Sequence, residues 1–222
     1  SQRVNVLPWQ QYRLRIWMKA EKLNASQIQV LVIGGGRTLQ HQFPVALRPD
    51  GRTTYVERAR ELTTDWVEQS VTFNSLDNTS VQVYAGVWGG TTGKIWWDDW
   101  RIDATPTLNL LRRDRLPLTI TGEDGAVYEE GRDFEKAVDP GMGSTPWPGS
   151  YDTRHEPPVI RLTQGSRIRE GARVRLSCYH AVIVNHAQVN CSMDDPKVFD
   201  LCRIQMQKVN EALSPDGYFM SH

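Results

Sequence analysis

The sequence predicts a mainly β protein in three parts. These are a β-sandwich over residues 1–104, a β-rich, Pro/Gly-rich hairpin linker subdomain over 105–172, and a strand–helix–strand (βαβ) unit over 173–222. Three observations carry this reading. Residues 1–104 contain short runs in which apolar and polar side chains alternate, separated by turn residues. Between 105 and 172, Pro106, Pro117, Pro140, Pro146, Pro148, Pro157 and Pro158 interrupt every pattern. After 173 a strand-like run gives way to a helical period that starts at Asp194-Asp-Pro196.

The first clear strand is Tyr12–Lys19, with Tyr12, Leu14, Ile16 and Met18 on one face and Arg13, Arg15, Trp17 and Lys19 on the other. Gln27–Ile33 is a second, stopped by Gly34-Gly-Gly36, and Pro49-Asp-Gly51 is a turn. Trp66–Phe73 puts Val67, Val71 and Phe73 on one parity. Val81–Val87 turns Val81, Val83, Ala85 and Val87 inward and Gln82, Tyr84 and Trp88 outward. The closing strand, Lys94-Ile-Trp-Trp-Asp-Asp-Trp-Arg-Ile-Asp103, breaks its own alternation: Ile95 and Trp97 share one parity, Trp100 and Ile102 the other. Both pairs reach one core only if a residue is inserted, and Asp98-Asp99 is the expected β-bulge.

In the middle part, Leu116–Thr121 and Ala126–Glu130 flank Gly122-Glu-Asp-Gly125 and read as a hairpin. Residues 141–155 read as a surface loop. In the last part, Arg173–His180 reads as a strand that Val182–Val184 extends. Val198, Leu201, Cys202, Gln205, Val209 and Leu213 form a helical stripe, and Tyr218-Phe-Met220 begins another strand.

Composition excludes some functions. Lys plus Arg, 26, equals Asp plus Glu, 26, so no basic stripe points to nucleic acid or to an anionic membrane. No apolar run approaches the roughly 20 residues of a membrane span. The three cysteines, Cys178, Cys191 and Cys202, make no disulfide framework and no zinc spacing, so reduced and mostly buried thiols are expected. Eight tryptophans are many for 222 residues and mark either core or surfaces that stack on ligands. A first residue other than Met and an apolar run at the end read as cuts through a larger protein.

Residues 1–104 resemble a carbohydrate-binding jelly-roll module of the kind attached to bacterial glycoside hydrolases. The stretches that carry the likeness are Tyr12-Arg-Leu-Arg-Ile-Trp-Met-Lys-Ala20, Trp66 before a strand ending Val71-Thr-Phe73, and Trp97-Asp-Asp-Trp100. Such modules start with one or two strands ahead of the Tyr12-like strand, which this reading finds missing; an open sheet edge is the expected consequence. Residues 108–222 resemble the entry into a (β/α)₈ barrel, through Gly165-Ser-Arg-Ile168, Leu176-Ser-Cys-Tyr-His180 and Gly217-Tyr-Phe-Met-Ser-His222. In that resemblance the βαβ unit opens the barrel, and the catalytic carboxylates lie on later strands and stay unassigned here. The resemblance implies a secreted or periplasmic protein.

The candidate sugar-binding residues follow from outward parity: Arg13, Arg15 and Trp17 on one strand, Gln82, Tyr84 and Trp88 on another, and Trp96 once the Asp pair is the bulge. Indole and phenol rings stack on the apolar face of a pyranose, while Arg and Gln bond its hydroxyls. Tyr179 and His180 join them because barrel active sites lie at the C-terminal strand ends. Adjacent carboxylates point to opposite faces, so Asp98 and Asp99 make a poor glycosidase pair. The resemblance suggests a structural calcium there instead; no other cofactor is required. The expected partners are a polysaccharide or oligosaccharide, and the remainder of the polypeptide or another copy. Three readings stay open: a binding module of a glycoside hydrolase acting on polysaccharide, a non-catalytic carbohydrate-binding or adhesion protein whose C-terminal region is structural, and a structural domain whose Trp residues are all core.

Overall fold

The computed structural model describes residues 1–89, 92–112, 117–142, 153–181, 183–184, 188–189 and 195–215. Residues 1–189 form one compact unit and 190–222 a second. The chain is mainly β, and every strand pairing between the named strands is antiparallel.

The first unit opens with β1 (Gln2–Asn5), β2 (Gln11–Ala25), β3 (Gln27–Gly34), β4 (Arg37–Gln42), β5 (Val45–Leu47), β6 (Thr53–Tyr55), β7 (Ala59–Asn74), β8 (Ser80–Trp88) and β9 (Thr92–Ala104). They make a four-stranded sheet, β1-β8-β3-β4, a three-stranded sheet, β7-β2-β9, and the small β5–β6 hairpin. Alternation decides what each sheet buries. Tyr12, Leu14, Val71 and Phe73 of the three-stranded sheet pack on Val30, Val32, Val81 and Val83 of the four-stranded one. A second cluster around Ala20, Leu23, Ile28 and Ala59 continues the same interior. This is a β-sandwich.

The bulge stands where the broken alternation puts it. Trp17 pairs with Asp98 and Arg15 with Arg101, so two residues of β9 face one of β2, and Asp99 is left-handed at φ 50°. The extra residue lets Ile95, Trp97 and Ile102 all pack on the interior clusters, but Trp100, expected beside Ile102, is exposed. One strand, β1, does precede Tyr12, contrary to the expectation of none; it pairs with the start of β8. Among the described residues β9 is bonded to β2 on one side and to no other strand, as each outer strand of an open sheet is.

The next part has its own core of Leu110, Leu118, Ile120, Phe134, Ala137 and Ile168. The hairpin lies at β11 (Thr119–Gly122) and β12 (Val127–Tyr128), turned by Gly125 at φ 84°. Residues 173–180 depart from the barrel expectation. They form β13 (Val174–Ser177), antiparallel to β11, and β14 (Tyr179–His180), antiparallel to β10 (Leu110–Leu111). A barrel strand pairs in parallel with its neighbours; these complete the linker subdomain instead, because Leu176 has an existing core to join. A short hairpin, β15 (Ile183–Val184) with β16 (Gln188–Val189), ends the first unit.

The second unit contains α1 (Pro196–Leu213). Asp195 is its N-cap, accepting the Lys197 amide at 2.9 Å, and Pro196 is the first helical residue, as the sequence predicts. No residue of α1 is buried; of the predicted apolar stripe Val198 is half-buried and the rest exposed, Cys202 included, against the expectation of buried thiols. The expected strand at 218–220, Cys191, and most of the predicted 141–155 loop lie outside the described residues.

Candidate functional site

The sandwich divides the sugar-binding candidates between opposite faces. Gln82, Tyr84 and Trp88 stand on the outer face of the four-stranded sheet, where Tyr84 pairs with Leu31 and Trp88 with Gln27. All three are half-buried, and the Gln82 amide donates to the Ser1 hydroxyl at 3.1 Å. Arg13, Arg15, Trp17 and Trp96 stand on the outer face of the three-stranded sheet. Parity identifies an outward side chain but not which sheet it belongs to, so a single surface holding Trp17, Tyr84 and Trp88 does not form.

Arg13 faces outward and is nevertheless only 2% exposed. A strap, residues 153–156, lies over it. Its guanidinium donates to the Thr153 carbonyl at 3.2 Å and the His155 carbonyl at 2.8 Å, and pairs with Glu156 at 3.5 Å. The neighbouring hydroxyls continue the seam: Ser70 Oγ donates to the Thr153 carbonyl at 3.0 Å, and Thr153 Oγ1 to the Ser70 carbonyl at 3.1 Å. Below the strap the His155 ring meets the buried Asp139 carboxylate at 2.9 Å, which also accepts the Gly141 amide. Arg13 is therefore a structural clamp. Arg15 is half-buried and held by Asp103 at 2.8 Å.

Beyond the strap the same face is open. Lys19 of β2 pairs with Trp96 of β9. On its other side a bulge in β7 sets Asp65 and Trp66 against it, between the pairs Met18–Val67 and Ala20–Thr64. Trp66, Lys19 and Trp96 thus form a row across three strands. The next row is Glu68, Trp17 and Asp98. The three indoles are 38% (Trp66), 37% (Trp17) and 37% (Trp96) exposed. Trp66 was legible as a member: its parity is opposite to that of Val67, Val71 and Phe73.

The charges of this patch are unevenly compensated. Lys19 pairs with Asp65 at 3.3 Å, and the Trp66 amide together with Lys19 holds the Asp65 carboxyl below its usual range. Lys94 stands 6.0 Å from the centre of the Trp96 ring and 3.9 Å from Glu21. Glu68 and Asp98, on either side of Trp17, are in no ion pair among the described residues.

The chain matches no family model, no curated protein and no solved structure.

The remaining candidates serve other ends. Asp98 accepts the Asp99 amide at 2.8 Å, bracing the bulge, and Asp99 binds Arg101 at 3.1 Å. Calcium needs six to eight oxygen ligands. No group of three His, Cys, Asp or Glu that could hold a metal gathers among the described residues. Tyr179 and His180 belong to β14 in the linker subdomain rather than to a barrel rim. Burial pushes the His180 imidazole down to about 4, which keeps it neutral at neutral pH. Burial likewise pushes the Cys178 thiol up, and its Sγ donates to the Pro106 carbonyl at 3.4 Å. No helix among the described residues is long and apolar enough to cross a membrane.

Proposed function

We propose that the sandwich is a jelly-roll-like carbohydrate-binding module, and that its binding surface is the open half of the three-stranded sheet. The observation that carries this reading is the set of three half-exposed indoles, Trp17, Trp66 and Trp96, on one face with polar side chains between them. Stacking on the C–H face of a pyranose uses the exposed side of each ring, and the intervening carboxylates accept sugar hydroxyls. The polypeptide it serves is a glycoside hydrolase acting on polysaccharide; this context rests on the resemblance of residues 1–104 alone, and no residue of this chain is assigned a catalytic role.

Calorimetric titration of soluble polysaccharides tests the site. Each stacking ring contributes on the order of 1 kcal/mol beyond its area burial. Trp17→Ala with Trp96→Ala therefore lowers affinity roughly thirtyfold. Tyr84→Ala with Trp88→Ala, on the opposite face, leaves it unchanged. The reverse pattern moves the site to the four-stranded sheet, and no binding by the wild type removes the proposal.

A further inference from the structure

We infer that the ligand of this surface is an uncharged oligosaccharide segment of at least three pyranoses, laid across β7, β2 and β9 rather than along them. The inference rests on the carbohydrate-binding reading and adds the length, direction and charge of what is bound.

Direction and length come from the register. Neighbouring strands lie about 4.8 Å apart, so Trp66 and Trp96, two strands apart in one row, are separated by about 10 Å. That is close to the repeat of two pyranoses in an extended β-linked chain. A monosaccharide or disaccharide stacked on one of these rings cannot also stack squarely on the other. A trisaccharide places its first and third rings on the two indoles and its middle ring over Lys19. Trp17 lies one row away on the central strand, diagonal to both, where it supports the flank of the middle unit. A path along the strands is obstructed: beyond Glu68 and Trp17 the strap begins, with Arg154 donating to the Glu68 carbonyl at 3.3 Å and Thr153 seated on Ser70.

Charge comes from the compensation pattern. The nearby cations already have carboxylate partners: Lys19 with Asp65, Lys94 with Glu21, Arg101 with Asp99 and Arg15 with Asp103. The carboxylates flanking Trp17, Glu68 and Asp98, have none among the described residues. A sugar carrying a carboxylate meets these two carboxylates, of which Glu68 is offset only through space by Arg15, and like charges brought together disfavour binding. Neutral hydroxyls meet two good acceptors.

The test titrates two matched series from disaccharide to hexasaccharide: neutral β-1,4-linked oligosaccharides (gluco-, xylo- and manno-), and β-1,4-linked oligomannuronates. The expected result is a rise in affinity of at least tenfold from disaccharide to trisaccharide in a neutral series. That step disappears in Trp66→Ala and in Trp96→Ala, and persists at reduced absolute affinity in Trp17→Ala. Oligomannuronates bind at least tenfold more weakly at low salt, and Glu68→Gln with Asp98→Asn narrows that gap severalfold. These side chains are on the surface, and equal melting temperatures establish that the variants are folded. Binding of neutral polysaccharide with no step between disaccharide and trisaccharide overturns the crossing geometry while leaving carbohydrate binding intact. Equal affinity for the acidic series, or a gap unmoved by the Glu68/Asp98 variant, overturns the charge assignment. No binding of any polysaccharide or oligomer overturns the parent reading as well.

Discussion

His180 makes folding of the linker subdomain sensitive to mild acid. The residue sits in β14 opposite Leu110, and burial lowers its pKa from 6.5 to about 4. In the unfolded chain it titrates near its usual value. With the folded pKa below the unfolded one, the unfolded chain binds a proton that the native state refuses between pH 6.5 and 4. The native state is thus fully favoured above pH 6.5 and loses ground as pH falls. The slope is about 1.4 kcal/mol per pH unit, and the total is about 3 kcal/mol by pH 4. His180→Gln removes the titration and keeps a polar side chain. The stability difference between wild type and variant, followed by urea denaturation from pH 7 to pH 4, shifts by about 3 kcal/mol in favour of the variant. Proton NMR of the wild-type imidazole reads the midpoint directly and gives about 4. A midpoint near 6.5, or parallel stability profiles, refutes the reasoning. Asp133 does not confuse the measurement. Its carboxylate is held well below the usual range, first by its bond to the Arg167 side chain, so its contribution is present above about pH 4 and is lost only at lower pH.

Two further outcomes concern the scaffold. Arg13→Ala leaves the His155 carbonyl without its donor and the Thr153 carbonyl with Ser70 alone, and costs about 1–3 kcal/mol by chemical denaturation, with the strap becoming a preferred site of limited proteolysis. Gly93→Ala costs about 1–3 kcal/mol in the same assay, because Gly93 is at φ 90° and a Cβ there would stand 2.2 Å from the Lys22 carbonyl oxygen.

Local features were legible in the sequence wherever the physics is local. The alternation of Tyr12–Lys19 fixes which side chains of β2 reach the core, and the parity break at Asp98-Asp99 requires a bulge whatever the strand pairs with. An Asp ahead of Pro196 sets the start of α1 because the cap geometry involves only adjacent residues. Long-range features were not legible. Trp17 and Trp88 both point outward, yet β2 and β8 belong to different sheets, and only the order of pairing reveals that they face opposite ways. The short strands β4, β5 and β6 carry little alternation, being held by neighbours such as Gln69, which bonds both backbone groups of Val45. Strand 173–180 looked like a barrel strand because a strand pattern does not record whether its partner runs parallel or antiparallel.

The outer face of the three-stranded sheet changes character along β2, and the change bears on function. Where protein covers it, the rows are Thr72, Arg13 and Asp103, then Ser70, Arg15 and Arg101. Hydroxyls and a guanidinium can satisfy the carbonyls of an irregular segment laid on them, and buried backbone demands such partners. Where the face is open, indoles alternate with charged groups. Indoles offer one donor each, too few to satisfy the backbone of a second strap, but their flat apolar faces suit a ligand whose polar groups lie around its rim. The boundary falls at Glu68, whose carbonyl accepts Arg154 from the strap and whose side chain flanks Trp17. One strand thus carries two surfaces of different chemistry: the half beneath the strap is built for peptide, and the half beyond it presents indoles between charged groups.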